Sequence, residues 1–212
     1  MDRAAAFIRS QQSRSFSKND ILIYQGEEPD VLLAIRKGYV KLHDVSADGS
    51  EQVIWIAKKY DIIPLEWLFN DRKHSPFFYT AFTDGEAFLV PKQQFLDLIR
   101  HDNEALLGIV GAITAKFADM TRHANATQKL RVRDKLIYML QFLSERFTPE
   151  RSGELKVVQV PLTHQDIANL IGATREKTSL ELKRLKDEGC IEYDKQAFYI
   201  QTAKLAELTN IT

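Results

Sequence analysis

The sequence predicts an α+β chain in three parts: an antiparallel β-rich region, one long helix, and a second mixed region in which helices run into a hairpin. Three observations predict it. From Asp20 to Pro91, short apolar runs alternate with turn residues at a spacing of about 8 to 12 residues, the rhythm of a sandwich or barrel rather than of βαβ units. From Leu106 to Thr127, apolar or small residues recur at alternating steps of four and three. After Leu162, a Thr-initiated helical stretch, a glycine, and a second Thr-initiated stretch precede two short strand-like runs. The 212 residues fit two ordinary domains of roughly 100 to 200 residues each. A hydrophobic content of 44%, with 12 Phe, 7 Tyr and 2 Trp, is enough to fold throughout.

Composition removes several classes. Lys and Arg total 29, as do Asp and Glu, so a nucleic-acid partner cannot be argued from overall charge. The longest uncharged apolar stretch, Ala105 to Ala115, is well short of the roughly 18 residues a membrane span needs. Ala4 to Ile8 is too short for a signal-peptide apolar region. A single cysteine, Cys190, forms no internal disulfide, and no Cys/His zinc pattern occurs. The expected location is a reducing cytoplasm, with no membrane partner.

In order, the first strands are Ile21 to Tyr24, followed by Gly26 and Pro29, and Val31 to Ile35, followed by Lys37–Gly38. Tyr39 to His43 and Glu51 to Ile56 flank Asp48–Gly49, the signature of a hairpin. An aromatic segment follows Pro64, and Ala87 to Val90 is the last strand. At Lys92 the period changes. Leu106, Val110, Ile113, Phe117, Met120, Ala124 and Thr127 form an a/d seam over three heptads. About 25 unbroken residues span roughly 37 Å, longer than a compact 100-residue domain can cover, so the seam is assigned to a homodimer. Its polar end, through Arg131, predicts a hinge. Beyond it lie an apolar helix (Leu136, Leu140, Leu143), a loop at Thr148 to Gly153, a strand at Val157 to Val160, two close helices, and a hairpin of Cys190–Tyr193 with Ala197–Ile200. Helices followed by a hairpin read as a winged helix.

The densest signal is the helix pair. Thr163 with Asp166 marks the first helix start, Gly172 allows the sharp turn, and Thr174 caps the second helix. In that second helix Thr178, Leu182 and Leu185 face inward, leaving Arg175, Glu176, Ser179, Leu180 and Lys183 outward. An Arg fork matches guanine O6 and N7, a Glu accepts from cytosine N4, and an exposed Leu meets a thymine methyl. From Thr174 to Lys186 five basic residues face two acidic ones, a local charge of +3 in a neutral chain. The DNA-contact set expected here is Thr163, Gln165, Thr174, Arg175, Glu176, Lys177, Ser179, Leu180, Lys183 and Arg184.

These residues resemble the Crp/Fnr family of bacterial transcription regulators over nearly the whole chain. Gly26, Gly38 and Gly49 fall where the family's β-roll glycines fall. Leu162–Thr163-x-Gln165–Asp166–Ile167–Ala168, then Gly172-x-Thr174–Arg175–Glu176, looks like its helix-turn-helix signature, and Leu182-x-x-Leu185-x-x-x-Gly189-x-Ile191 completes it. The resemblance implies an N-terminal antiparallel β-roll (a double-stranded β-helix) as sensor over residues 1–104, a dimerisation helix and hinge over 105–131, and a winged helix-turn-helix over 132–212. It also implies a palindromic double-stranded DNA operator, and RNA polymerase as a protein partner. One departure is Leu180, where the family usually carries a basic residue.

The sensor departs further. Cyclic-nucleotide-binding members resemble one another in a Gly-Glu pair and an Arg-Ser pair; here those stretches are Pro64–Leu65 and Ser75–Pro76, so cyclic AMP binding is not expected. Arg72 and Lys73 are read as solvated loop residues. The aromatic set of Trp55, Trp67, Phe69, Phe77, Phe78, Tyr79 and Phe82 is read first as filling the roll. The alternative is an apolar effector pocket of Trp55, Leu65, Trp67, Phe77, Phe78 and Tyr79. No metal and no cofactor is predicted; haem at His74 and a small apolar effector stay open. Enzyme motifs are missing, Ser15 and Lys18 match S-x-x-K without partner motifs, and His43, His74 and His101 are too scattered for a cupin metal site. Two further readings remain beside the regulator: an effector-free constitutive form, and a β-roll protein-interaction module whose winged domain binds no DNA.

Overall fold

The computed structural model of the chain describes residues 3–69, 74–148 and 153–209. Two compact units divide the chain between Phe117 and Ala118. The first opens with helix α1 (Arg3–Ser10) and strand β1 (Ser13–Phe16), neither of which the apolar pattern marks. The Ala4–Ile8 run is helical because Ala4 and the ring of Phe7, stacked 6.2 Å from Phe95, give it one apolar face to bury. Then come β2 (Ile21–Ile23), β3 (Val31–Lys37), β4 (Val40–Val45), β5 (Glu51–Ala57), β6 (Ile62–Ile63), a 3₁₀ turn (Leu65–Trp67), β7 (Phe78–Ala81) and β8 (Gly85–Pro91). They form two antiparallel four-stranded sheets, ordered β1-β8-β3-β6 and β2-β7-β4-β5, which is the β-roll the sequence reading expected.

The apolar run of β3 does not alternate because both of its faces are covered. Leu33 and Ile35 point into the roll with Trp55, Ile63 and Tyr79, whereas Leu32 and Ala34 point out, under a helical layer. That layer is α1, α2 (Lys92–His101) and the start of α3 (Asn103–Thr127), with Phe95, Ile99, Ala105 and Ile109 buried against the sheet. Burying each large side chain is worth about 1.5–3 kcal/mol, so the two-sided strand anchors the unit. Asp48–Gly49 forms the turn between β4 and β5, with Asp48 Oδ1 accepting from the Ser50 amide at 2.9 Å and its hydroxyl at 2.6 Å. Gly38 has φ +88°, and a Cβ there would lie 2.6 Å from the Asp84 carbonyl oxygen, so no other residue fits.

The second unit holds the last turns of α3, then α4 (Val132–Phe147), β9 (Leu155–Val158), α5 (His164–Ile171), α6 (Arg175–Asp187), β10 (Ile191–Tyr193), β11 (Phe198–Gln201) and α7 (Thr202–Thr209). The strand expected at Val157 to Val160 runs two residues earlier, because β9 takes its register from β11, with Val158 opposite Phe198 and Leu155 opposite Gln201. Val160 is buried beyond the strand end, just before Pro161, which has no amide to donate to a ladder. The sheet order is β10-β11-β9. Leu136, Met139, Leu140 and Leu143 of α4 are fully buried, with Ile167, Leu182, Leu185 and Phe198 in the same unit. The end of α3 is bound into this unit as well. Asp119 pairs with Arg146, Arg122 with Glu145 at 3.0 Å, and His123 Nε2 donates to the Leu170 carbonyl at 3.0 Å. The segment expected as a hinge, Thr127 to Arg131, links α3 to α4 inside this unit, with Leu130 almost wholly exposed. The loop expected at Thr148 to Gly153 lies mostly outside the described residues, as do Arg72 and Lys73.

Candidate nucleic-acid interface

Two caps fix the helix pair. The Thr163 hydroxyl accepts from the Asp166 amide at 3.1 Å while the Asp166 carboxylate accepts from the Thr163 amide at 2.8 Å, a reciprocal box at the start of α5. Gly172 ends α5 at φ +60°, the left-handed conformation that glycine adopts at little cost. Two residues later the Thr174 hydroxyl accepts from the Lys177 amide and starts α6. Such caps contribute about 1 kcal/mol each, and here they set the angle at which α6 leaves the turn.

Three side chains of α6, Thr178, Leu182 and Leu185, are completely buried, so its other face is fixed outward. Arg175, Glu176 and Lys177 are exposed in the first turn, with no side-chain hydrogen bond or ion pair among the described residues. Leu180 is half exposed and Lys183 is exposed one turn further on. Arg184 is engaged: its Nη1 holds Glu181 Oε1 at 2.6 Å. Lys186 pairs with Glu192 on β10 at 2.7 Å. The local charge of +3 therefore resolves into three cations open to solvent (Arg175, Lys177, Lys183) and two that are partnered. Gln165, on the exposed face of α5, donates to Asn169 at 2.7 Å. Of the ten residues expected at the interface, seven lie on α6, Thr163 and Thr174 are the two caps, and Gln165 stands on α5, though Ser179 is half-buried and turned toward α5.

The reason is His164, to which the sequence reading gave no role. Its Nδ1 lies 2.9 Å from the Ser179 hydroxyl, and its ring meets Tyr193 edge-on at 5.1 Å. Tyr193 packs in turn on Phe198 at 5.3 Å. Helix α5, helix α6 and the wing are tied through this one imidazole, which burial and then the nearby Arg175 guanidinium hold below the usual pKa. Nothing in the sequence separates His164 from a solvated histidine, since its partners lie 15 and 29 residues away.

The sensor region uses its polar groups internally. The Tyr79 hydroxyl donates to Glu66 Oε1, Lys116 Nζ donates to Glu66 Oε2 at 3.0 Å, and the same ammonium sits 4.9 Å over the Trp55 ring. Tyr79 has no solvent exposure, whereas Glu66 is about one-third exposed. Burial raises the Glu66 carboxyl, but Lys116 and the Tyr79 hydroxyl outweigh it and the pKa ends below the usual value. At Ser75–Pro76, where the resemblance to the family places an Arg-Ser pair, Ser75 is buried. Its amide is given to Glu27 O, its hydroxyl to Phe77 O, and Pro76 has no N–H to offer.

The six residues of the alternative effector pocket divide between different clusters. Trp55 and Tyr79 lie in the roll core with Phe77 against them, Leu65 and Trp67 belong to the outer cluster, and Phe78 stacks on His43 at 5.5 Å. Phe82 is buried, but Phe69 is exposed rather than part of a filling. His74 is exposed, and no group of three or more metal-ligating side chains gathers among the described residues. Burial pushes the Cys190 thiol upward. None of the described helices is long and apolar enough to cross a membrane.

Comparison with known proteins agrees with both halves. Residues 13–102 match the cyclic nucleotide-binding domain and residues 134–211 the Crp-like helix-turn-helix domain. The chain is 26% identical over 191 residues to the anaerobic regulatory protein of Bacillus subtilis, covering 85% of this chain and 76% of that protein. It is 22% identical over 185 residues to the cAMP-activated global transcriptional regulator CRP of Salmonella typhimurium, covering 87% of each. Among solved structures, FixK2 from Bradyrhizobium japonicum superimposes with a TM-score of 0.79 at 14% identity, covering 93% of this chain and 96% of that one. A CooA mutant from Carboxydothermus hydrogenoformans gives 0.78 at 17%, covering 96% and 90%.

Proposed function

The chain belongs to the Crp/Fnr family of transcription regulators, and from that premise we propose that it acts as a homodimer in which each α6 reads one major-groove half-site of a palindromic operator, without cyclic AMP as its signal. The observation that carries the reading is the two-sided build of α6. Its inner face is wholly buried, and its outer face presents Arg175, Glu176, Lys177, Leu180 and Lys183 to solvent. In this reading Arg175 and Glu176 touch base edges, Lys177 and Lys183 touch phosphates, and Thr163, Gln165, Thr174, Ser179 and Arg184 position or border the contact.

Self-association is supported by α3. Ala105 and Ile109 are buried in the chain's own fold, while the seam residues Leu106, Val110, Ile113, Phe117 and Met120 are 37–70% exposed. With the neighbouring Leu107, they leave a row of large apolar side chains exposed along one helix, the usual mark of an interface. A second copy of the same seam covers it by two-fold symmetry and sets the half-sites about one turn, roughly 34 Å, apart. The functional division proposed is a sensor over 1–104, a dimerisation helix and hinge over 105–131, and a DNA-binding part over 132–212; RNA polymerase is the proposed protein partner.

Rejection of cyclic AMP follows from chemistry. A cyclic phosphate needs a cation or free amides, and the cation of this cluster, Lys116, is already given to Glu66, whose carboxylate repels a second anion. Two experiments test the reading. Sedimentation at micromolar concentration without DNA is expected to give a dimer, and a monomer would remove the seam argument. Gel shifts against a randomised duplex pool are expected to enrich a two-fold symmetric sequence, unchanged by millimolar cyclic AMP. Binding with no enrichment would support the protein-docking alternative instead.

A further inference from the structure

The N-terminal unit contains a groove of about 690 Å³ that none of the expected effector residues lines. It runs over the outer face of the β1-β8-β3-β6 sheet, with Ala34, Ile62 and Phe88 as its floor. One wall is α1, through Ala5 and Ile8; the other is α3, through Ala105, Gly108 and Ala112. Small side chains on that wall leave the space open, and even a Cβ on Gly108 would meet nothing within 4 Å. The volume lies inside the range of about 300–1,000 Å³ typical of small-molecule sites.

Charge is distributed unevenly around it. Arg9, Arg36 and Lys59 line the groove, and no Asp or Glu does among the described residues. Arg36 is held by Glu86 at 2.8 Å, but Arg9 and Lys59 have no carboxylate partner among the described residues. At the edge stands Tyr60, 81% exposed, with its backbone at φ +77°. A bulky residue is strained in that conformation, and here its amide is held by the Ile35 carbonyl at 2.9 Å. Lys59 Nζ lies 4.8 Å over the Tyr60 ring, so an aromatic surface and a cation are presented side by side.

We propose that this groove binds a small molecule with an apolar body and a terminal carboxylate, the body on Ala34, Phe88 and the α3 wall, the carboxylate on Arg9 and Lys59. An apolar floor supplies burial without direction, and the two cations that no carboxylate holds among the described residues fix which end of the ligand faces out. A cationic amphiphile meets the same floor but a repulsive edge, and a short carboxylate meets the cations but buries nothing. The site lies wholly in the N-terminal unit, so it stands or falls separately from DNA recognition.

The test is titration calorimetry of the full chain with dodecanoate below its micelle-forming concentration, beside acetate and dodecyltrimethylammonium. The expected result is one dodecanoate per chain with micromolar affinity, the other two weaker by at least about ten-fold, the loss of one charge-assisted contact or of the buried tail. Arg9→Glu with Lys59→Glu, both surface changes, is expected to weaken dodecanoate by a similar factor. Gly108→Trp fills the groove from an exposed helical position and is expected to abolish binding while circular dichroism stays unchanged. Absence of binding overturns the proposal, as does equal affinity for the cationic amphiphile or full affinity in the charge-reversed variant. Adsorption to phosphatidylglycerol vesicles without uptake of monomeric dodecanoate also overturns it, in favour of a membrane surface.

Discussion

The outer face of α6 and the sensor cluster around Glu66 carry the same kinds of side chain and spend them in opposite ways. On α6, Arg175, Lys177 and Lys183 stand in solvent without partners among the described residues, over a face locked by Thr178, Leu182 and Leu185. In the roll, Lys116 is closed onto Glu66 and Trp55, and Glu66 also takes the hydroxyl of the fully buried Tyr79. Charge available for a ligand is thus a matter of partnering, not of count. A basic residue on a rigid, uncommitted face can recognise something; one that satisfies a neighbour holds the fold.

Mutations at the two places should have opposite consequences. The largest effect expected is on α6: Arg175→Ala should cost about 1–3 kcal/mol of specific DNA binding and relax one base position, with no loss of folding stability. Competition gel shifts and thermal melts read the two quantities. Glu66→Ala should do the reverse. It strands the Tyr79 hydroxyl in the roll and destabilises the N-terminal unit by about 1–2 kcal/mol, most of it from the unpaired hydroxyl because the Lys116 pair is partly exposed. Tryptophan fluorescence reports this unit alone, since both tryptophans, Trp55 and Trp67, lie in it.

Smaller effects are expected within α6. Lys183→Ala should weaken specific and random DNA alike and lower the salt slope by about one. Arg184→Ala should do so less, because its guanidinium is already held by Glu181 at 2.6 Å. A similar slope change for both would mean the intrahelical pair does not limit Arg184.

The smallest expected effect is on pH. Burial holds His123 below the usual imidazole pKa of about 6.5 while its Nε2 donates to Leu170 O. The folded chain therefore resists the proton that the unfolded chain accepts, so the stabilisation is complete above about pH 6.5 and declines as pH falls below it. His164, and His43 in the other unit, are lowered too and act in the same direction. His123→Gln keeps a donor for Leu170 and should flatten part of this decline, measured by denaturant unfolding followed by circular dichroism at pH 7.5 to about 5. An unchanged slope would show that His123 is not a source of it.

Much of this organisation was legible in the sequence because it rests on local rules. The Asp48–Gly49 turn, the Thr163 and Thr174 caps, the Gly172 turn and the inward triad of α6 each depend on residues within a few positions of one another. The long helix was legible from its period, and so was its outward seam. What was not legible depends on tertiary partners. Helix α1 has only one short apolar face, and its reason to fold is Phe95, almost ninety residues away. The His164–Ser179–Tyr193 link joins three elements, and the partners of Lys116, Glu66 and Trp55, lie 50 or more residues away in the chain. The groove escaped for the opposite reason: alanines and a glycine carry no signal of their own, and only the fold shows that they surround a space.

The most direct test of the central claim, that the exposed face of α6 reads DNA sequence, compares one operator selected from a random pool with unrelated duplex DNA, for the unaltered chain and for Arg175→Ala. The substitution is expected to lower affinity for the operator by about ten-fold or more and to leave unrelated DNA far less affected, so the ratio between them shrinks. Equal losses on both duplexes would contradict it, placing Arg175 on the phosphate backbone and leaving α6 without its reader.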